Sequence, residues 1–202
     1  MILPEQDTVI VTTAYTLDMQ AVLDAMWTRL LPGLGTVSPG AEAASGQLSD
    51  RLARLELPAS AGAAAPADWG PWTSGPFTVT AGPAGAAGFM GDQVQPFLTS
   101  VEVAARDGGW QIGLVEAGNA LTVPVGAGTW AVSDHADRNG EIIPVAASGG
   151  WLDERTLRAE VIFLETPHRM DITCTLPGRT AAAVWRHPPL SPSKLQHLHC
   201  PA

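Results

Sequence analysis

At Trp69 the hydrophobic period of this chain changes from about 3.6 residues to 2, and that switch constrains its fold more than any other feature. Downstream, Met170, Ile172, Cys174 and Leu176 alternate with Asp171, Thr173 and Thr175. Leu157, Ala159, Val161 and Phe163 alternate with Arg158 and Glu160, and Trp110, Ile112 and Leu114 with Gln111 and Gly113. Each run is the pattern of a strand with one buried face. Between the runs stand hairpin signals: Asp107-Gly108-Gly109, Glu116-Ala117-Gly118-Asn119, Asp153-Glu154 and Pro177-Gly178. About eight strands are expected between Phe77 and Arg186, without helices between them. The fold class is therefore mainly β, an antiparallel barrel or sandwich over residues 69–187. Residues 188–202 have no period and read as a mobile tail.

Upstream the pattern is helical. Asp7 to Thr13 is a β-branched run that reads as a buried strand. A helix is expected from about Thr16, with Asp18 in its first turn, where the helix dipole favours an acid. Met19, Val22, Leu23, Met26, Trp27, Leu30 and Leu31 form one apolar stripe along it, and Pro32-Gly33 stops it. A strand and one helix cannot bury such a stripe, so the N-terminal 33 residues read as the edge of a larger domain or must dock on the rest of this one, and the segment is bounded at residues 1–35. A second helix is expected from Ser45, as cap, to Leu55, with Leu48, Leu52 and Leu55 on one face. Residues 36–68 then form a helical spacer, ending in a flexible linker at 59–67 (ASAGAAAPA).

Charge and cysteine usage exclude several functions. The net charge is −9, with 20 acids against 11 bases and Lys194 the only lysine, which argues against a phosphate-backbone binder. Two cysteines make no disulfide framework: Cys174 belongs to a core strand and Cys200 to the tail, so no bridge between them is expected. No apolar run is long enough for a membrane-spanning helix, and Met1 to Asp7 lacks the pattern of a signal peptide, so a cytoplasmic chain is expected.

The candidate chemical motifs are weak. Ser191-Pro192-Ser193-Lys194 spells S-x-x-K, but that chemistry needs its serine at a helix N-terminus in a desolvated pocket, not in a proline-rich tail. His187, His197, His199 and Cys200 have zinc-ligand chemistry, yet no rigid frame is expected to hold them. Asp134-His135 and Glu165-Thr166-Pro167-His168 each set an acid near a histidine, in expected loops and without a companion nucleophile. Gly126 to Ala131 spells G-x-G-x-x-A, but no helix follows to receive a pyrophosphate, so it reads as a turn. Thus no catalytic residue, metal ligand or cofactor is assigned.

Trp69, Trp72, Trp110, Trp130, Trp151 and Trp185 lie in or beside the β region. They read first as core; the alternative is an apolar ligand cavity lined by Trp110, Trp130, Trp151 and Trp185.

Two stretches resemble a known family. Residues 2–34 (ILPEQDTVIVTTAYTLDMQAVLDAMWTRLLPGL) look like the strand and helix that close the transpeptidase-type domain of β-lactamase-related serine hydrolases, which include penicillin-binding-protein-like enzymes. Residues 145–186, with VAASGGWLDERTL and FLETP, look like the β domain that follows in many members. The family's S-x-x-K, Y-x-N and K/H-T/S-G elements lie upstream of the matching strand, and none is found here in context: Tyr15, the one tyrosine, precedes Thr16-Leu17. The resemblance therefore implies a non-catalytic C-terminal accessory domain of a serine hydrolase, shaping substrate access or assembly. Its partners would be the parent hydrolase domain or a second copy, met through Met26, Trp27, Leu30 and Leu31, and neither nucleic acid nor membrane. The other readings are a stand-alone lipocalin-like binder of a small apolar ligand and an independent enzyme using His135 or His168.

Overall fold

In the computed structural model, the described residues are 1–12, 16, 18–34, 40–60, 62–63, 65–80, 96–107, 109–187 and 193–199. They form two compact units, Met1–Pro58 and Ala59–Ala202.

In the first unit, β1 (Ile2–Leu3) pairs with β2 (Thr8–Val9) as a small antiparallel hairpin. The described part of the Asp7–Thr13 run, which leaves out Thr13, is thus not a buried strand: Thr8 and Val9 pair, Ile10 exchanges hydrogen bonds with Met1 at 2.9 and 2.8 Å, and Val9 and Val11 are exposed. Helix α1 (Met19–Ala25) starts three residues later than expected. Asp18 is its cap, accepting from the Ala21 N–H at 2.9 Å, which satisfies one of the four open donors of the first turn. The helix continues as a wider turn over Met26–Leu30 and a tighter one over Leu31–Gly33. Helix α2 (Ala41–Ala53) begins four residues before Ser45, at Gly40, whose φ of 89° is open to glycine without strain. No described side chain of this unit is buried: Trp27 is 56% exposed and Leu55 69%.

The second unit is mainly β, as the alternation requires. A short helix, α3 (Gly70–Thr73), precedes nine strands: β3 (Phe77–Thr80), β4 (Leu98–Arg106), β5 (Gly109–Glu116), β6 (Asn119–Val125), β7 (Ala131–Ser133), β8 (Val145–Asp153), β9 (Thr156–Phe163), β10 (Arg169–Thr175) and β11 (Thr180–His187). Their order is β6-β5-β4-β3-β11-β10-β9-β8-β7. Neighbours are antiparallel except β3 and β11, which run parallel, so the sheet is mixed where an all-antiparallel one was expected. The ends of the sheet nearly meet. Gly126, just past β6, donates to the Ala147 carbonyl at 3.1 Å and accepts from the Gly149 N–H at 2.9 Å, bridging onto β8. A nearly closed barrel results, which removes most of the open sheet edge.

The inner face holds Val101, Val103, Ile112, Leu114, Leu121, Val123, Val145, Leu157, Val161, Phe163, Met170 and Ile172. Of these, Ile112, Leu114, Leu157, Val161, Phe163, Met170 and Ile172 were assigned to a buried face by the alternation, as was Cys174, a free, buried thiol.

The described residues of two segments expected to be loose are seated. Residues 59–67 were expected as a flexible linker, because they carry no large apolar side chain. Instead Ala63 exchanges backbone hydrogen bonds with Trp151 at 2.8 and 3.4 Å, and Ser60 Oγ donates to Glu160 Oε2 at 2.9 Å. Small side chains allow this approach: a Cβ on Gly62 would lie 2.4 Å from Gly150 Cα. In the expected mobile tail, a short turn at Leu195–His197 places Leu195 and Leu198 in the core, and Leu195 N–H donates to Glu116 Oε2 at 3.2 Å. Two leucines spaced three apart suffice to anchor a segment that has no strand period.

Candidate functional site

The barrel has two ends, given by strand direction. One carries the start of β5 and the finish of β8, hence Trp110 and Trp151. The other carries Glu116, Val145, Phe163 and Trp185. At the first end Trp151 is the hub of an aromatic cluster. Its ring centroid is 5.0 Å from that of Trp110, 5.3 Å from Trp69 and 5.7 Å from Trp72, and Trp72 stacks on Phe77 at 5.7 Å. Edge-on and tilted packing suits the ring quadrupoles. Trp185 packs at the other end against Phe163 and His168, each at 6.0 Å.

The four tryptophans named as ligand-lining are therefore not gathered around one space. Trp110 and Trp151 touch each other, Trp185 is with Phe163, and Trp130 is half-buried ahead of β7. The indole Nε1 atoms of Trp110, Trp151 and Trp185 are buried without a hydrogen-bond partner.

Arg179 holds α3 over the first end. It sits in a left-handed conformation, φ 46°, right after Gly178. From there its guanidinium donates to the carbonyls of Pro71 (2.6 Å), Trp72 (3.3 Å) and Gly75, and to Ser74 Oγ (2.9 Å). The C-terminal carbonyls of a short helix, which have no partner within it, are met by one planar cation.

On the outer face of β9, β10 and β11 lies a charge network. Glu160, almost wholly buried, pairs with Arg169 and lies 3.6 Å from Arg186. Arg186 also grips Asp171 with Nε at 3.1 Å and Nη2 at 2.9 Å, and Arg158 approaches Asp171 at 3.5 Å. Burial and the nearby charge of Arg186 push the Arg169 pKa down from its ordinary value. Three arginines face two carboxylates, each arginine has a carboxylate partner, and the network has no nucleophile. Asp137 is likewise structural. Its carboxylate accepts from Asn119 Nδ2 at 2.6 Å and from the N–H groups of Asn139 and Glu141, shaping the loop between β7 and β8.

The acid–histidine pairs fall in loops, as expected. Asp134 and His135 are exposed after β7. His168, between β9 and β10, shares a 2.9 Å hydrogen bond between Nδ1 and Thr166 Oγ1, while Glu165 is exposed. In the tail, His199 lies 3.7 Å from Glu141, and His197 Nε2 is 3.2 Å from Gln196 Nε2. Ser191, Cys200 and the side chain of His187 lie outside the described residues. Among the described residues, no three of His, Cys, Asp and Glu gather as metal ligands. Among them, too, no helix is long and apolar enough to cross a membrane.

One cleft adjoins the tryptophan end. Past the Trp110–Val125 pair the chain leaves β5 so that Gly126 can bridge to β8. The departure opens a space of about 350 Å³ between the β4–β5 hairpin and the turn that follows β6. Arg106, Asp107, Trp110, Pro124, Ala127 and Thr129 line it. The G-x-G-x-x-A spelling is this turn: Gly128 has φ 67°, and a Cβ on Gly126 would fall 2.2 Å from the Thr129 carbonyl oxygen. Periodicity located the strands but not this cleft, because the cleft depends on which strands close the sheet. The Arg179 clamp was equally hidden, since its partners stand more than one hundred positions away.

No family model, no curated protein and no solved structure matches this chain.

Proposed function

We propose that this chain is a non-catalytic accessory module of a β-lactamase-related serine hydrolase, shaping substrate access or assembly of the parent enzyme. One observation carries the reading on the structural side. In the Met1–Pro58 unit the apolar stripe of α1 has no core of its own: Met19, Leu23, Trp27 and Leu30 are exposed, and Met26 and Leu31 are only half-buried. A stripe of that size on a unit with no buried side chain among its described residues is the mark of a surface made to be covered. The resemblance of residues 2–34 to the closing strand and helix of the hydrolase domain names the cover. In this reading Met26, Trp27, Leu30 and Leu31 pack on the parent domain, and the barrel supplies no reacting group.

The test is the mass of the native protein in its source cell, read by immunoblot against this chain. A band well above 21.0 kDa supports an upstream hydrolase domain, and a band at 21.0 kDa removes it. Hydrolysis of a β-lactam or of a p-nitrophenyl ester by the purified chain, abolished by an active-serine label, would contradict the non-catalytic role.

A further inference from the structure

We propose that the cleft at the barrel seam binds a small zwitterion, a free amino acid or a compound of that size with one carboxylate and one ammonium group. The site is independent of the accessory role and of the apolar stripe.

Its position follows from topology. β5 begins at Gly109, and its partner strand β6 ends at Val125, where the chain crosses toward β8. The Asp107 turn therefore has no strand beside it on that flank, and the gap is walled by the turn at 126–129. The space, about 350 Å³, falls at the small end of the range of ligand pockets.

Its chemistry is mixed in a specific way. Arg106 and Asp107 bring one cation and one anion to the same rim, and neither side chain has an ion pair or hydrogen bond among the described residues. Arg158, Arg169, Arg179 and Arg186 all have acceptors, whereas the Arg106 guanidinium at this cleft has none among the described residues and is open to a ligand. A guanidinium matches a carboxylate with two parallel hydrogen bonds, and a carboxylate matches an ammonium. Thr129 adds a hydroxyl. Trp110, Pro124, Val125, Ala127 and Ala131 supply an apolar wall for a side chain. Trp110 is 2% exposed and its ring packs on Trp151, so this part of the wall is held by the core. The rim charges cancel, which disfavours a ligand with one net charge and favours one carrying both.

The test uses the full chain, labelled with nitrogen-15, and follows the Trp110 indole N–H signal assigned through its backbone connectivity. The probes are leucine, isocaproate, which lacks the amine, and isopentylamine, which lacks the carboxylate. Leucine should move the signal saturably, with a dissociation constant on the order of 1 mM. Each truncated probe should bind about tenfold more weakly. Arg106→Gln should weaken leucine about tenfold, and Asp107→Asn should reverse the preference toward isocaproate. Both positions are exposed, so the barrel should fold in either variant. No movement of the Trp110 signal, an equal response to all three probes, or a leucine response unchanged by Arg106→Gln would overturn the proposal.

Discussion

The guanidinium of Arg179 lies 4.3 Å from the centroid of the Phe77 ring while donating to the carbonyl oxygens of Pro71, Trp72 and Gly75. One side chain thus joins the β10–β11 turn, the first barrel strand and the helix that covers the tryptophan end. Arg179→Ala should lower the unfolding free energy by about 2–3 kcal/mol, combining the lost charged hydrogen bonds with the lost ring contact. Arg179→Lys should recover only a minor part, because an ammonium cannot reproduce the planar fork. Urea unfolding followed by tryptophan fluorescence measures both.

Glu160 offers a second test, because two arginines and Ser60 converge on one buried carboxylate. Glu160→Gln leaves Arg169 facing a neutral amide. The expected cost is about 2–4 kcal/mol, below the full penalty for a buried pair because Arg186 is partly solvated and retains Asp171. Chemical denaturation should show this loss at both low and high salt, since screening acts weakly on a buried group.

Gly150→Ala should detach the 59–66 segment rather than unfold the barrel. The added Cβ would stand 2.8 Å from Gly62 Cα and 2.9 Å from the Ala63 carbonyl oxygen, too close for either backbone to remain. Hydrogen exchange should accelerate at the Ala63 and Trp151 amides, each of which donates to the other residue's carbonyl oxygen across this contact. Amides in β5 and β10 should keep their protection. A stability cost of about 1–3 kcal/mol is expected.

Cys174 gives the pH dependence. Burial pushes its thiol from the ordinary 9.0 up to about 12. Between those values the unfolded chain has lost the proton that the folded chain retains, so the unfolded state binds fewer protons and stability falls as pH rises through the window. Below pH 9 the group should contribute no slope. Denaturation midpoints of wild type and Cys174→Ala, compared from pH 8 upward, should differ progressively only on the alkaline side. In the native protein the thiol should not react with an aromatic disulfide reagent near about pH 8.

Leu198→Ala tests the seating of the C-terminal segment. Leu198 is wholly buried with Leu195, so truncation should cost about 2–4 kcal/mol in thermal or urea unfolding. A truly mobile tail would show no change.

Much of the barrel was legible in the alternation of its strands, because a half-buried strand must place every second residue on the core. Leu157, Ala159, Val161 and Phe163 all lie inward, and Arg158 lies outward. The boundary between the first helix and its cap was less legible: both a cap and a first-turn acid favour Asp18, and only the bond to the Ala21 N–H distinguishes them. The ASAGAAAPA segment misled for a physical reason. Absence of large side chains permits flexibility, but it equally permits a backbone to lie against Gly150. Its counterpart signal was the small residues Ala146, Ser148 and Gly150 on alternate positions of β8, which leave room for an approaching chain.

Sequence alone determined the mainly β class, the inward and outward faces of its strands, and the apolar stripe of α1, because each is a local repeat that short-range geometry imposes. Tertiary structure alone decided the parallel contact of β3 with β11, the bridge from Gly126 to β8, and the Arg179 and Glu160 networks. It also decided that Trp110 and Trp151 meet at one end while Trp185 occupies the other. Those features depend on closure of the sheet, which joins residues far apart in the chain and leaves no periodic trace in it.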